Sequence, residues 1–289
     1  MTAIEEAIAI YRGLPSSHSG AFRSDLAVSL INLSRSLSDL ERREEALAAI
    51  QEAVATFRDL ASMHRDAFRP GLAMALVNLS LRLHGLGSRE AELAATEEAV
   101  AIYRDLVSSH PDVFRPDLAT SLHDLSSDLK ALGRGEGALA ALEEAVAIRR
   151  DLVTSRPDVF GPALASSLNN LSNRLSDLGK KKEALGVIEE AVTLYRNLVI
   201  LRPVLFAPEL ARSLNNLSKR LSDLENRGAA LAAVEEAVAI RRDLAESRPE
   251  AFQSDLASSL EVLSKRLNDL GRQEEALTAS AEAARLRAS

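Results

Sequence analysis

The chain has 289 residues, of which 46% are hydrophobic but only 3% aromatic, with no Trp and no Cys. Without thiols there is no disulfide framework, no thiolate nucleophile and no Cys-based zinc or iron–sulfur site. A net charge of −7 argues against a nucleic-acid partner. No apolar run approaches the roughly 18 residues a membrane span needs, and Met1 to Glu6 lacks the basic and apolar regions of a secretory signal. The expectation is a cytoplasmic protein without a membrane partner. Ala and Leu must do the packing that aromatics usually do.

Taken in chain order, residues 1–20 form one apolar-striped helix of type B, about 2 to 18. A helix of type A follows, roughly 24 to 40, with Leu26, Leu30, Leu33, Leu37 and Leu40 stepping by 4, 3, 4 and 3 along one face. The next helix B, roughly 43 to 63, carries Leu47, Ile50, Val54, Phe57 and Leu60. From here the chain repeats itself, the first test for any sequence. Glu52-Ala53-Val54 returns as Glu98-Ala99-Val100, Glu144-Ala145-Val146, Glu190-Ala191-Val192 and Glu236-Ala237-Val238, a spacing of 46 with no insertion. Full repeats therefore span 21–66, 67–112, 113–158, 159–204 and 205–250, and 251–289 is a last repeat with a shortened helix. Thr278, Ser280 and Arg285 give that helix the polar outer face of a cap.

All ten aromatics fall in two columns of this repeat: Phe22, Phe68, Phe114, Phe160, Phe206 and Phe252, then Tyr11, Phe57, Tyr103 and Tyr195. The first column lies in the connection after helix B and reads as a plug between helix pairs. Pro70, Pro116, Pro162 and Pro208 fit the first position of helix A, while Gly87, Gly133, Gly179 and Gly271 fit the left-handed residue after it. Pro111, Pro157, Pro203 and Pro249 end helix B. Neither helix can bury its stripe alone, so the pairs must stack. The fold class expected is all-α, an α-solenoid of about 13 helices.

The run Asn-Leu-Ser-x-x-Leu-x-x-Leu-Gly-(x3)-Glu-Ala-Leu-(x5)-Ala, as in Asn170 to Ala191, resembles the tetratricopeptide repeat (TPR). The family's small crossing residues match Ser34, Ser80, Ser126, Ser172, Ser218 and Ser264, then Ala46, Ala138, Ala184, Ala230 and Ala276, then Ala53, Ala99, Ala145, Ala191 and Ala237. The resemblance covers essentially the whole chain and implies a right-handed superhelix of antiparallel helix pairs. The 46-residue unit exceeds the family's usual 34 and is similar to those of kinesin light chains and NLR-type signalling proteins. Glu92 stands where the family has Ala, so the second pair is expected to splay unless its carboxylate finds solvent or a partner.

The resemblance also implies that helices A line a concave groove that binds a peptide or protein segment. In the fourth repeat the groove positions are Ser166, Asn169, Asn170, Asn173 and Ser176. In the fifth they are Arg212, Asn215, Asn216, Lys219 and Ser222, and in the sixth Glu261 and Lys265. Amide side chains donate and accept, so an Asn ladder can hold an extended backbone of any sequence. The family's peptide-contacting Asn carries to Asn32, Asn78, Asn170 and Asn216; the alternative is a solvated polar face. In the first two repeats Val28, Ile31, Met74, Val77 and Leu81 make these positions apolar, either a pocket for an apolar anchor or a surface covered by something else.

No catalytic, cofactor or metal site is expected. His123-Asp124 lacks a nucleophile, the five His fit no HExxH pattern, and Gly133 to Gly137 follows no strand. The four Asn-Leu-Ser sequons place their Ser at a helix crossing. Arg12, Arg58, Arg104, Arg150, Arg196 and Arg242 form a row that regular acids flank, so ion pairs are expected there. The function expected is a non-enzymatic scaffold, a segment of a longer signalling or adaptor protein. The alternative is self-assembly into a homo-oligomer through the terminal helices or the apolar 200–205 connection, where Ile200, Leu201, Val204 and Leu205 replace polar counterparts.

Overall fold

A computed structural model describes residues 2–13 and 20–288. These form thirteen α-helices and no strand. The first, α1 (Thr2–Gly13), takes the place of the leading helix B, and its expected continuation to residue 18 lies outside the described residues. Helices A are α2 (Gly20–Asp39), α4 (Arg65–Gly85), α6 (Pro111–Ala131), α8 (Pro157–Asp177), α10 (Pro203–Asp223) and α12 (Pro249–Asp269). Helices B are α3 (Arg43–Met63), α5 (Arg89–Ser109), α7 (Gly135–Ser155), α9 (Lys181–Leu201), α11 (Arg227–Ser247) and α13 (Gln273–Ala288). The chain divides into two compact units, Met1–Ile148 and Arg149–Ser289. Within each, consecutive helices pack as antiparallel neighbours, the arrangement of a TPR-like α-solenoid. No helix among the described residues is long and apolar enough to cross a membrane.

Helices A begin earlier than the sequence suggests. A single residue, His64, His110, Arg156, Arg202 or Arg248, separates helix B from the next helix A, with φ between −136° and −145°. Pro111, Pro157, Pro203 and Pro249 therefore both end helix B and open helix A at its first turn, where their missing N–H costs nothing. Pro70, Pro116, Pro162 and Pro208 lie inside helix A rather than at its start. The residues expected to form a connection are its first turns, and the Phe column sits on them. These rings seat only partly in the stack: Phe22 is 41% exposed and the other five are half-buried, Phe206 against a core cluster drawn from α8, α9, α10 and α11. Arg156 lies over Phe160 and Arg248 over Phe252, with centroids at 4.9 and 5.2 Å.

Helix A hands over to helix B through a left-handed residue. Gly87, Gly133, Gly179 and Gly271 have φ between 71° and 77°, and in the two repeats without Gly the same place is taken by Glu41 (φ 59°) and Glu225 (φ 61°). The bonds are those of a Schellman turn, as in Lys180 N–H to Leu175 O (2.8 Å) and Gly179 N–H to Ser176 O (2.9 Å).

The core is equally periodic. Leu30, Leu76, Leu122, Leu168, Leu214 and Leu260 are one column and are all buried, as are Ala27, Ala73, Ala119, Ala165, Ala211 and Ala257. At the crossing the small Ser donates to the carbonyl of the small Ala on the facing helix: Ser34 to Ala46, Ser218 to Ala230 and Ser264 to Ala276 at 2.7 Å, and Ser172 to Ala184 at 2.8 Å. Only small side chains let the backbones come that close. In the second aromatic column Tyr103 and Tyr195 are buried, and Arg149 and Arg241 are buried in their place in other repeats. Arg149 donates to Ala163 O (3.2 Å) and the Ser167 hydroxyl, and Arg241 pairs with Asp255 (3.2 Å). Phe57, which has no polar tip, instead meets Gly71, where a Cβ would lie 2.4 Å from its ring.

The Arg row pairs as expected, and each partner lies on the next helix B. Arg12 meets Glu52, Arg58 meets Glu98 and Arg104 meets Glu144 at 2.5 Å; Arg150 meets Glu190 at 2.6 Å; Arg196 meets Glu236 and Arg242 meets Glu282 at 2.7 Å. All are exposed pairs of the kind that contribute at most about 1 kcal/mol each.

Candidate functional site

In the second unit the helix-A residues at positions i, i+4 and i+7 share one face. Ser166, Asn170 and Asn173 on α8 are half-buried; on α10, Arg212 and Lys219 are exposed and Asn216 is half-buried. Asn169 and Asn215 are turned about 100° away and do not reach this face. They are buried, at 2% and 9% exposure, in the seam between neighbouring helices A. There Asn215 Nδ2 donates to Ser259 Oγ (2.7 Å), and Asn169 Oδ1 accepts from Asn216 Nδ2 (2.9 Å). The seam is completed below by Arg220, which donates to the Ser176 hydroxyl and to Asn173 Oδ1 (3.4 Å), and by Arg266, which donates to the Ser222 hydroxyl. Their own helices supply Asp223 at 3.3 Å and Asp269 at 2.9 Å. The exposed or half-buried polar set on this face is therefore Ser166, Asn170, Asn173, Arg212, Asn216 and Lys219, of which Asn173 and Asn216 also bond into the seam. Arg212 is partly engaged by Glu209, and Glu261 pairs with Arg287 (2.6 Å), leaving Lys219 and Lys265 exposed on this side.

The first unit differs as its sequence does. Val28 and Met74 are 40% exposed and Leu81 54%, Val77 is half-buried, but Ile31 is buried at 8% because it occupies the seam column of Asn169 and Asn215. The exposed apolar set on this face is thus Val28, Met74 and Leu81, while half-buried Val77 stands in the same seam column as Ile31. Asn32 accepts from Arg35 (3.3 Å), and Asn78 turns back to donate to Met74 O (2.9 Å).

Glu92 is accommodated without splaying α4 from α5. It is buried, at 6% exposure, and bonds His84 Nδ1 through Oε1 (2.7 Å). Ser80 donates to Val77 O instead of across the crossing. Two further departures from the repeat converge here: Thr96 in the column of Ile50 and Ile188, and Asp128 in the column of Arg82, Arg174, Arg220 and Arg266. Asp128 is buried on α6 close to Thr96 and Glu92. Burial first, then the neighbouring carboxyls of Glu92 and Asp124, push its carboxyl up to about 6. Three substitutions in register were the available sign of this cluster in the sequence.

The sequence also did not show that the one-residue joints open clefts. Leu198, Leu201, Arg202, Leu205, Phe206, Asp158 and Val159 are among the residues around a cavity of about 720 Å³ where α8, α9 and α10 meet. Two repeats earlier, Leu106, Ser109, His110, Val113, Phe114 and Asp66 line its counterpart, of about 390 Å³. Beside the larger cleft Tyr195 is buried, which, with the Glu209 charge, pushes its hydroxyl up to about 12. Among the described residues no group of three or more His, Asp or Glu is placed to hold a metal ion.

A family model of the tetratricopeptide repeat matches residues 26–66, 118–153, 164–199 and 210–248, more than half of the chain in all. A model of anaphase-promoting complex subunit 5 matches residues 59–110. No curated protein matches. Among solved structures the chain is similar to BtubC (BKLC) from P. vanneervenii, with 22% identity, a TM-score of 0.66, and coverage of 85% of this chain and 91% of that one. It is also similar to a putative kinesin light chain with nearly identical TPR-like repeats from Podosopora anserina (21% identity, TM-score 0.59, 78% and 98% covered). A third is the apo form of RapI (12% identity, TM-score 0.60, 98% and 91% covered). At these identities the likeness is one of fold.

Proposed function

Because the chain belongs to the tetratricopeptide repeat family, whose members generally mediate protein–protein interaction, we propose that it is a non-enzymatic scaffold whose helix-A face in the second unit holds an extended peptide or protein segment. The observation that carries this reading is the seam. Asn216 to Asn169 and Asn215 to Ser259 tie α8, α10 and α12 side by side, so the i, i+4, i+7 rows of α8 and α10 present their polar groups in fixed register. A pre-organised row of donors and acceptors binds an extended backbone without first paying to order itself. In the first unit, Val28, Met74 and Leu81 supply an apolar anchor site of the same kind.

A peptide-library screen by fluorescence anisotropy tests the reading, followed by Asn170→Ala and Asn216→Ala on the best binder. Each variant removes one or two backbone-directed bonds at about 1 kcal/mol apiece, so binding should weaken several-fold per substitution. Unchanged affinity in the double variant would remove this face from the mechanism. A second reading, self-association, is favoured by one observation: Ile200, Leu201, Val204 and Leu205 are 56–79% exposed at a single joint.

A further inference from the structure

We propose that the cleft at the joint of α9 and α10 is one half of a two-fold contact with a second copy of this chain, in which Ile200 and Val204 of each copy enter the other's cleft and Arg202 of each meets Asp158 of the other. The inference rests on the self-association reading above and gives it a place and a geometry.

Three features of one patch point to a partner with the same surface. First, the patch carries both a cavity and the side chains to fill it. The cleft is walled by Leu198, Leu201, Leu205 and Val159, while beside it Ile200 and Val204 stand 79% and 72% exposed. A two-fold axis brings the protrusion of each copy to the cavity of the other, which is the condition of an isologous interface. Second, the charges are complementary to themselves. Asp158 on α8 and Arg202 at the joint both line the cleft, yet neither has an ion-pair partner among the described residues. Their neighbours are occupied: Glu209 by Arg212, and Arg156 by the Phe160 ring. The same two-fold operation sets Arg202 against Asp158 twice.

Third, the patch is local. In the equivalent cleft of the first unit Ser109, His110, Val113 and Ala67 stand for Leu201, Arg202, Leu205 and Val159, and the protruding positions are Ser108 and Asp112. The architecture of the joint is common to both, so nothing in the fold demands five exposed aliphatic side chains here. A contiguous apolar surface of this kind, rimmed by charge, is the mark of a contact, and opposite charges across it set the pairing of copies more than its strength.

Sedimentation equilibrium of the full chain should show a mass rising with concentration from 31.2 kDa toward twice that value. Ile200→Glu or Val204→Asp should raise the dissociation constant at least tenfold, with unchanged helical circular dichroism because both positions are exposed. Asp158→Lys and Arg202→Glu should each weaken the dimer when alone, by setting like charges together, whereas an equimolar mixture of the two should dimerise like the wild type. A monomer at every concentration would overturn both this contact and the self-association reading. A dimer indifferent to Ile200→Glu and to the charge exchanges would overturn this contact alone, and open-ended growth beyond two copies would overturn its two-fold closure.

Discussion

Asp128→Asn should stabilise the protein at neutral pH and leave it unchanged in mild acid. Asp128 faces Glu92 and Thr96 from α5 and Asp124 from its own helix, and His84 of α4 is hydrogen-bonded to Glu92. Its folded-state value of about 6 lies above the ordinary 3.8. A carboxyl raised in this way favours the folded state most below its unfolded value, and that contribution is lost as pH climbs through the folded value. A rise from 3.8 to about 6, at about 1.4 kcal/mol per unit, means that ionising Asp128 costs on the order of 3 kcal/mol of stability between pH 4 and pH 7. Asn mimics the protonated acid in shape and polarity but cannot ionise. Urea denaturation of both proteins from pH 4 to pH 8 should give nearly equal stabilities at the acid end, with the variant pulling ahead by about 3 kcal/mol near neutrality. A difference that does not change with pH would refute the buried-acid account.

Two further substitutions test the backbone and the packing. Glu225→Gly relieves an L-residue at φ 61° and should gain about 1 kcal/mol, the left-handed cost less the entropy of Gly; a loss in urea midpoint would contradict the turn geometry. Gly71→Ala should destabilise by about 1–2 kcal/mol although Ala is the better helix former, because its Cβ would stand 2.4 Å from the buried Phe57 ring. In a Phe57→Leu background the same change should become neutral or favourable, and failure of that reversal would clear Phe57 of the clash.

The repeat made most of the fold legible. Apolar columns, Gly turns and small crossing residues act locally and recur, so each instance supports the others. What escaped were choices between equivalent signals. Two prolines five residues apart, such as Pro111 and Pro116, both suit a helix start, and the one-residue joint at His110 decides between them. Asn169 and Asn170 are chemically identical neighbours, and only rotation about the helix sends one into the seam and the other to the face. The clue was that the seam column holds Ile31 and Val77 in other repeats. The Tyr and Phe of the second aromatic column fit the apolar stripe of helix B, whereas the burial of Arg149 and Arg241 in the same column rests on Ser167 and Asp255, partners from the next helix A that no local pattern announces.

The single-residue joints constrain length as well as direction. With only His64, His110, Arg156, Arg202 or Arg248 between two helices, no slack exists to absorb an added or missing residue. One extra residue in a helix would rotate everything after it by about 100° up to the next turn, carrying the apolar stripe toward water and the Arg of each rung away from its Glu. The unvarying 46-residue count is thus a mechanical tolerance: this chain can change what its side chains say but not how many there are.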